Sequence, residues 1–381
     1  MSIQPAPATG LARAARDVAA LAAGHADQGE RDRRLAVPVM RALVAAGFAR
    51  HFVPAGLGGA AGTFAELTEA VTVLGAACPA TAWCASVVAN LARMAAYLPG
   101  EGRKEIWRDG PDTVVVGAVS PKGRARRDGS GWRLSGAWPY VSAVDLSDWA
   151  LVLGTGKGDG EDPCTLMFAV PRDRYRVERT WSDVGMRASG SNTLVVEDVH
   201  VPGLLTFNAA DLFGGQAPGL ESPCHRVPLT ATSGLSFSAP ILGAAEGALA
   251  HWSGHAAERI RAAERPGPGP GRGYYEEVLA RSSGEIDAAR LLLERAAGVA
   301  DRGPLVTPAE ATRNQRDCAL ATDLLVTAVD RLFRASGTAG HSTDHPLQRL
   351  WRDVHSAAGH VVLQFGPSAA AYAGRALDLD G

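Results

Sequence analysis

The 381-residue chain has no excess of charge of either sign: 38 Lys and Arg face 40 Asp and Glu, a formal net charge of −2. That balance gives no electrostatic footing for a nucleic acid or an anionic membrane surface. One short basic run, "PKGRARRDG" (Pro121 to Gly129), is bounded by turn residues and reads as a solvated β-hairpin. Cysteine is scarce, with five residues at positions 78, 84, 164, 224 and 318, and no Cys-x-x-Cys pair. The odd count and the spacing speak against a disulfide framework or structural zinc, and they fit a reducing cytoplasm. Long apolar runs are missing too. The best candidate, "ATAWCASVVANLARMAAYL", is interrupted by Asn90 and Arg93, so no membrane span is expected. The first residues carry charges scattered through apolar positions and show no signal-peptide core.

Several catalytic signatures are absent as well. "GTGKGDG" (Gly154 to Gly160) follows a β-like run, but no helix opens after it and its third glycine is misplaced for G-x-G-x-x-G. It reads as a polar turn. No His-Glu-x-x-His and no paired Glu-x-x-His occurs, which leaves zinc-hydrolase and di-iron chemistry without support. His341, Asp344, His345 and Asp353 share no single helix face, and no metal is expected there. "GLSFSA" lacks the G-x-S-x-G spacing of a nucleophile elbow.

What is present is a change of period along the chain. Residues from about 8 to 108 are Ala-rich with helical spacing, as in the stripe Leu11, Ala15, Val18, Leu21 and Ala22. Helices are expected from Phe64 to about Leu74 and from about Thr81 to Leu98, where Pro99-Gly100 stops the pattern. From about Pro111, short β-branched or alternating runs such as "TVVVGAV", "DWALVLGT" and "CTLMFAVP" are separated by turn residues. They predict an antiparallel β-domain ending near Val201-Pro202. The helical period then returns, with helices at about 234–263, 274–302, 308–336 and 347–374 and a helix–helix loop at "RPGPGPGRG" (Arg265 to Gly273). The chain therefore reads as α+β in three parts: helical over 1–110, β over 111–205 and a four-helix domain over 206–381.

Two segments could serve a flat ring with polar edges. "SGAWPYVSAVDLSDWALVLG" (Ser135 to Gly154) ends a strand at Trp138-Pro139-Tyr140 and turns a corner bearing Ser142 and Asp145. "WSDVGMRASGSNTLVVEDVHVP" (Trp181 to Pro202) puts Arg187, Ser189 and Ser191 in a small-residue loop before a strand. Indole faces beside loop amides and hydroxyls suit a heteroaromatic ligand, although a Trp at a strand end also suits the core. His360, in "LQRLWRDVHSAAGHVVLQFG" (Leu347 to Gly366), sits among apolar neighbours in what reads as buried helix. It can act as acid, base or hydrogen-bond donor, or rest in the core with one satisfied bond.

The order of the three parts and the motifs "FVPAGLGG" (Phe52 to Gly59), "GMRASGSNTLVVEDVHVP" and "GTAGHSTDHPLQRLWRDV" resemble the acyl-CoA dehydrogenase superfamily. The resemblance covers nearly the whole chain and implies that family's fold: a helical domain, a middle antiparallel β-domain and a C-terminal four-helix bundle. Dehydrogenases of the family abstract an α-proton with a glutamate that here falls on Val361, which cannot take a proton. A histidine at 360, together with "WPYVSAVD", resembles instead the flavin-dependent monooxygenase branch, the oxygenase halves of two-component systems. The resemblance implies reduced flavin supplied by a separate reductase through diffusion, and O₂ as co-substrate. It implies a C4a-hydroperoxide that must be kept dry and hydrogen-bonded.

By that resemblance Ser142 lies near flavin N5 and Trp138 packs on the ring, with Tyr140 beside them. His360 donates to the peroxide, and Arg187, Ser189 and Ser191 line the polar edge of the flavin. Arg259 would reach the flavin phosphate from a neighbouring subunit of a homotetramer. The family's G-G-x-G falls on Gly337-Thr338-Ala339-Gly340, a departure that favours FMN over FAD. A second histidine used by phenol-hydroxylating relatives is missing from "DTVVVGAVS". The leading expectation is hydroxylation of an aromatic, natural-product-type substrate. Oxygenation at nitrogen of an amine or amino sugar, or at sulfur, stands second. An acyl-CoA dehydrogenase with its base moved to Glu246 or Asp323, and a non-catalytic binding or scaffold member of the family, are the remaining readings.

Overall fold

The computed structural model describes residues 10–157, 162–262 and 271–378. Most of the expected 265–273 loop and the end of the Gly154–Gly160 turn lie outside them.

Five helices come first: α1 Gly10–Asp32, α2 Val37–Ala46, α3 Phe64–Ala77, α4 Pro79–Ala95 and α5 Gly100–Ile106. Helix α3 opens on a capping box, in which Thr63 Oγ1 accepts from the Glu66 amide and the Glu66 carboxylate accepts from the Thr63 amide. Helix α4 starts at Pro79, where the missing N–H costs nothing. Every one of its residues is buried, which explains a run that is apolar on all sides yet too interrupted to span a membrane. Among the described residues no helix is long and apolar enough to cross one.

Seven strands form one sheet: β1 Val115–Asp128, β2 Gly131–Val141, β3 Trp149–Lys157, β4 Cys164–Pro171, β5 Arg176–Glu178, β6 Asn192–Pro202 and β7 Thr206–Asn208. Their order is β5-β6-β2-β1-β3-β4-β7. The expectation of a purely antiparallel domain needs correction, because β1 and β3 pair parallel. The cause is topological. One edge of β2 holds β1 and the other holds β6, so the chain crosses at the 142–148 corner to the free edge of β1 and arrives running the same way. The basic run forms the β1–β2 hairpin, with Gly129 in the left-handed region and Asp128 opposite Gly131. Its charges are answered locally: Arg133 pairs with Asp128 at 2.9 Å, and Arg127 lies over the Trp132 ring at 4.3 Å.

The C-terminal part holds α6 Ala209–Gly214, α7 Leu229–Ala262, α8 Arg272–Ala300, α9 Pro308–Ala335, α10 Pro346–Ala358 and α11 Phe365–Ala376. Helices α7, α8 and α9 pack on one another, α10 on α7 and α9, and α11 on α9. Helix α7 also crosses α3 so closely that a Cβ on Gly243 would stand 2.2 Å from the Thr72 carbonyl oxygen. The single helix expected over 347–374 is in fact two. His360 takes an extended backbone after Gly359, and a short turn at Val361–Leu363 separates α10 from α11. His360 is therefore on no helix face, contrary to the expectation of a buried helix around it.

Candidate active site

The break after α10 aims His360 inward at two aromatic side chains. Its imidazole stacks on Phe237 of α7, with centroids 3.8 Å apart and planes at 24°. It meets Trp83 of α4 edge-on at 5.7 Å. Burial alone pulls its pKa down to about 4, so the ring is neutral at pH 7. Nδ1 accepts from the Val362 amide at 3.4 Å. A neutral imidazole whose Nδ1 accepts carries its proton on Nε2. That N–H has no partner among the described residues, and it is a donor in waiting.

Trp83 joins this group to the β-domain. Its Nε1 donates to Ser142 Oγ at 3.0 Å. Ser142 is 2.9 Å from Ser191 Oγ, and Ser191 is 2.7 Å from Ser189 Oγ, so three buried hydroxyls stand in a row. The corner that carries Ser142 is fixed by the Ala143 amide, which donates to the Ser189 carbonyl at 2.8 Å. Sequence reasoning singled out all three serines and His360, and the fold brings them to one place from two domains. It missed Trp83 and Phe237. In the sequence the first lies within the interrupted apolar run and the second within "GLSFSA", and neither stretch carries a motif.

A second group borders the first along the 181–191 loop. Trp181 Nε1 donates to the Met186 and Arg187 carbonyls, each at 3.2 Å, and the Tyr140 ring stands edge-on to the indole at 6.2 Å. Arg187 Nε is buried without a hydrogen-bond partner. A buried donor left open by the chain fits a bound group that brings acceptor atoms. Together with the serine row and His360 Nε2, it suits the polar edge of a flavin ring.

Trp138 does not belong to this surface, contrary to expectation. It is wholly buried beneath the sheet, its Nε1 donates to the Leu153 carbonyl at 2.8 Å, and its ring lies against Gly123 and Gly136. The exposed aromatic of that strand is Tyr140, which takes φ 63° where the β2–β6 register slips between Trp138 and Val141.

Two further expected residues lie far off. Gly337, in the left-handed region at φ 61°, sits beyond the start of α10, whose 13 residues span about 20 Å before His360. Arg259 is exposed near the end of α7, about 33 Å along the helix from Phe237, and has no ion-pair partner among the described residues. The relocated bases fare no better. Glu246 pairs with Arg290 of α8, and Asp323 is exposed on α9. Among the described residues no three His, Cys, Asp or Glu are placed to hold a metal.

Residues 235–365 match the family described as acyl-CoA dehydrogenase, C-terminal domain. The chain is 31% identical over 338 residues to the flavin-dependent monooxygenase oxygenase subunit HsaA of Rhodococcus jostii (strain RHA1), covering 86% of this chain and 88% of the other. It is 28% identical over 364 residues to the oxygenase component of the FADH(2)-dependent resorcinol hydroxylase of Rhizobium sp. (strain MTP-10005), covering 91% and 89%. Among solved structures, XiaF from Streptomyces sp., in complex with FADH2 and glycerol, superposes with a TM-score of 0.89 at 28% identity, covering 97% and 95%. The chain belongs to the flavin-dependent monooxygenases, as an oxygenase component built on the acyl-CoA dehydrogenase fold.

Proposed function

We propose that this oxygenase binds reduced FMN in the space bordered by His360, the serine row and Arg187, and hydroxylates an aromatic, natural-product-type substrate. Reduced flavin held there would supply the two electrons that activate O₂, so that one oxygen could replace a ring hydrogen as hydroxyl and the other leave as water. The observation that carries this reading is the neutral, half-buried His360, whose Nε2–H has no partner among the described residues and whose ring packs against Phe237 and Trp83. Such a donor stabilises charge that develops on oxygen, in a setting where burial strengthens each hydrogen bond.

Each residue then has a task. Ser142, with its oxygen held by Trp83, meets the N5 edge. Ser189 and Ser191 complete the row behind it. Arg187 Nε and the exposed Tyr140 ring border the remainder of the flavin, and Trp83 and Phe237 keep water from the reacting centre. Arg259, too distant to serve its own chain, supports the flavin phosphate of a neighbouring subunit in a homotetramer. FMN is favoured by the Gly337-Thr338-Ala339-Gly340 departure; reduced FAD, borne by two relatives in name or structure, is the alternative. An aromatic substrate is favoured by the aromatic walls and by the resorcinol-hydroxylating relative.

The test is anaerobic mixing of the protein with reduced FMN or reduced FAD, followed by oxygen, in wild type and His360→Val. The expected result is a long-lived C4a-adduct absorbance in wild type that decays about a hundredfold faster in the variant. An adduct equally stable in both proteins would return His360 to a packing role. Oxidation at the rate of free flavin, with either cofactor, would overturn the proposal.

A further inference from the structure

The 181–191 loop, which carries Arg187 and leads into the serine row, is tied within itself by Trp181 Nε1, which donates to the Met186 and Arg187 carbonyls. The Ser189 amide adds a second tie, donating to the Met186 carbonyl at 2.9 Å, and the outer side of the loop is held from elsewhere. Its backbone runs through two left-handed residues, Met186 at φ 52° and Gly190 at φ 57°. A non-glycine residue in that region persists only where its surroundings hold it there. At Met186 the holder is Asp353 of α10. Its carboxylate, 3% exposed, accepts from the Met186 amide at 2.5 Å, and both groups are buried. One residue earlier, Gly185 lies so close that a Cβ would stand 2.1 Å from the Arg352 carbonyl oxygen, and the Arg352 guanidinium donates to the Val184 carbonyl. The same guanidinium pairs with Glu30 of α1 at 2.8 Å, and Arg33, just after α1, donates to the Trp181 carbonyl at 3.0 Å.

The loop is thus gripped from the helix whose C-terminal end delivers His360, seven residues beyond Asp353. A displacement of α10 would move the two sides of the site together rather than apart.

We propose that Asp353 is a positioning residue of the flavin site: its carboxylate oxygen, by accepting from the Met186 amide, sets the turn that aims Arg187 and registers it with His360. This rests on the flavin reading given above. What the position requires is an acceptor, and an amide oxygen at 353 serves as well as a carboxylate. The charge itself is costly there. Burial, with Glu30 adding to it, raises the pKa of Asp353 to about 7, against Met186, Arg352 and Arg349, which act in the opposite direction.

The experiment compares Asp353→Asn and Asp353→Ala with wild type by two readouts. One is hydrogen exchange of the 181–191 peptide without ligand, and the other is the Kd for reduced FMN and reduced FAD under anaerobic conditions. In Asp353→Ala the peptide is expected to exchange faster and the Kd to rise about tenfold. Asp353→Asn is expected to keep both near wild type. Unchanged exchange in Asp353→Ala overturns the grip itself, whatever the flavin does. Faster exchange with unchanged Kd overturns the positioning role, and so does equal impairment of the two variants. Wild type that binds neither flavin overturns the reading of the site, while the exchange data still judge the grip.

Discussion

Trp138 and Tyr140 show how one residue's fate turns on its backbone. A regular strand would put both on the same face, yet one is in the core and the other faces outward. The slip in register before Val141, with Tyr140 in the left-handed region, turns the tyrosine out. Trp138→Phe leaves the Leu153 carbonyl without its donor and is expected to cost about 1–3 kcal/mol. Thermal unfolding should show the loss while the Kd for reduced flavin stays put; a changed Kd at constant Tm would return Trp138 to the site. His360 makes a second prediction at this scale. With a pKa of about 4, it is neutral across the working range. The step it assists should be flat from about pH 5.5 to 8 in stopped-flow measurements and fall only in stronger acid. An inflection near 6.5 that vanishes in His360→Gln would show an imidazole that is still solvated.

Helix α10 carries opposite pH effects at its buried acid and at the histidine just beyond it. Asp353 has a folded pKa raised from 3.8 to about 7, so its contribution to stability is full below about pH 4 and is lost as pH rises through 7. His360 has a folded pKa lowered from 6.5 to about 4, so its contribution is present above 6.5 and is lost as pH falls towards 4. Asp353→Asn removes only the first effect. The variant should therefore gain in Tm over wild type as pH climbs from 4 to 7, and equal slopes would mean that the carboxyl is not buried in solution. Most helices were legible from periodicity because apolar stripes persist over many turns, as in α1 and α9. The end of α10 was not. Gly359 and His360 break the helix without a proline, and the apolar residues on either side, such as Val354 and Leu363, continue a helical pattern that the backbone does not follow.

At the scale of the molecule, Arg259 stands far from the residues gathered around His360. It lies about 33 Å from Phe237 along the same long helix, so within one chain it cannot touch what His360 touches. If it serves a neighbour, co-expressed Arg259→Ala and His360→Val chains should recover activity that neither has alone. Mixed oligomers then contain sites with an intact histidine and a borrowed arginine; no recovery would confine Arg259 to its own chain. This scale also marks where sequence reading ran out. Ser142, Ser189, Ser191 and His360 were found through motifs, since each lies in a recognisable local pattern. Trp83 and Phe237 join them only through the packing of α4 on α7, and neither has a local signal beyond being apolar. The parallel pairing of β1 with β3 was hidden for a similar reason, because it depends on which strand edge is already taken.

The row of hydroxyls has one further consequence. Trp83 can only donate, so one lone pair of Ser142 is always occupied, but the bonds from Ser142 to Ser191 and from Ser191 to Ser189 can run in either sense. If all three hydrogens turn together, Ser142 changes from offering a hydrogen to receiving one, and no backbone atom moves. A flavin carries a hydrogen on N5 when reduced and a bare nitrogen when oxidised. On the flavin reading proposed above, the same three side chains can meet either form, reversing polarity by rotation about C–O bonds on a timescale far shorter than turnover.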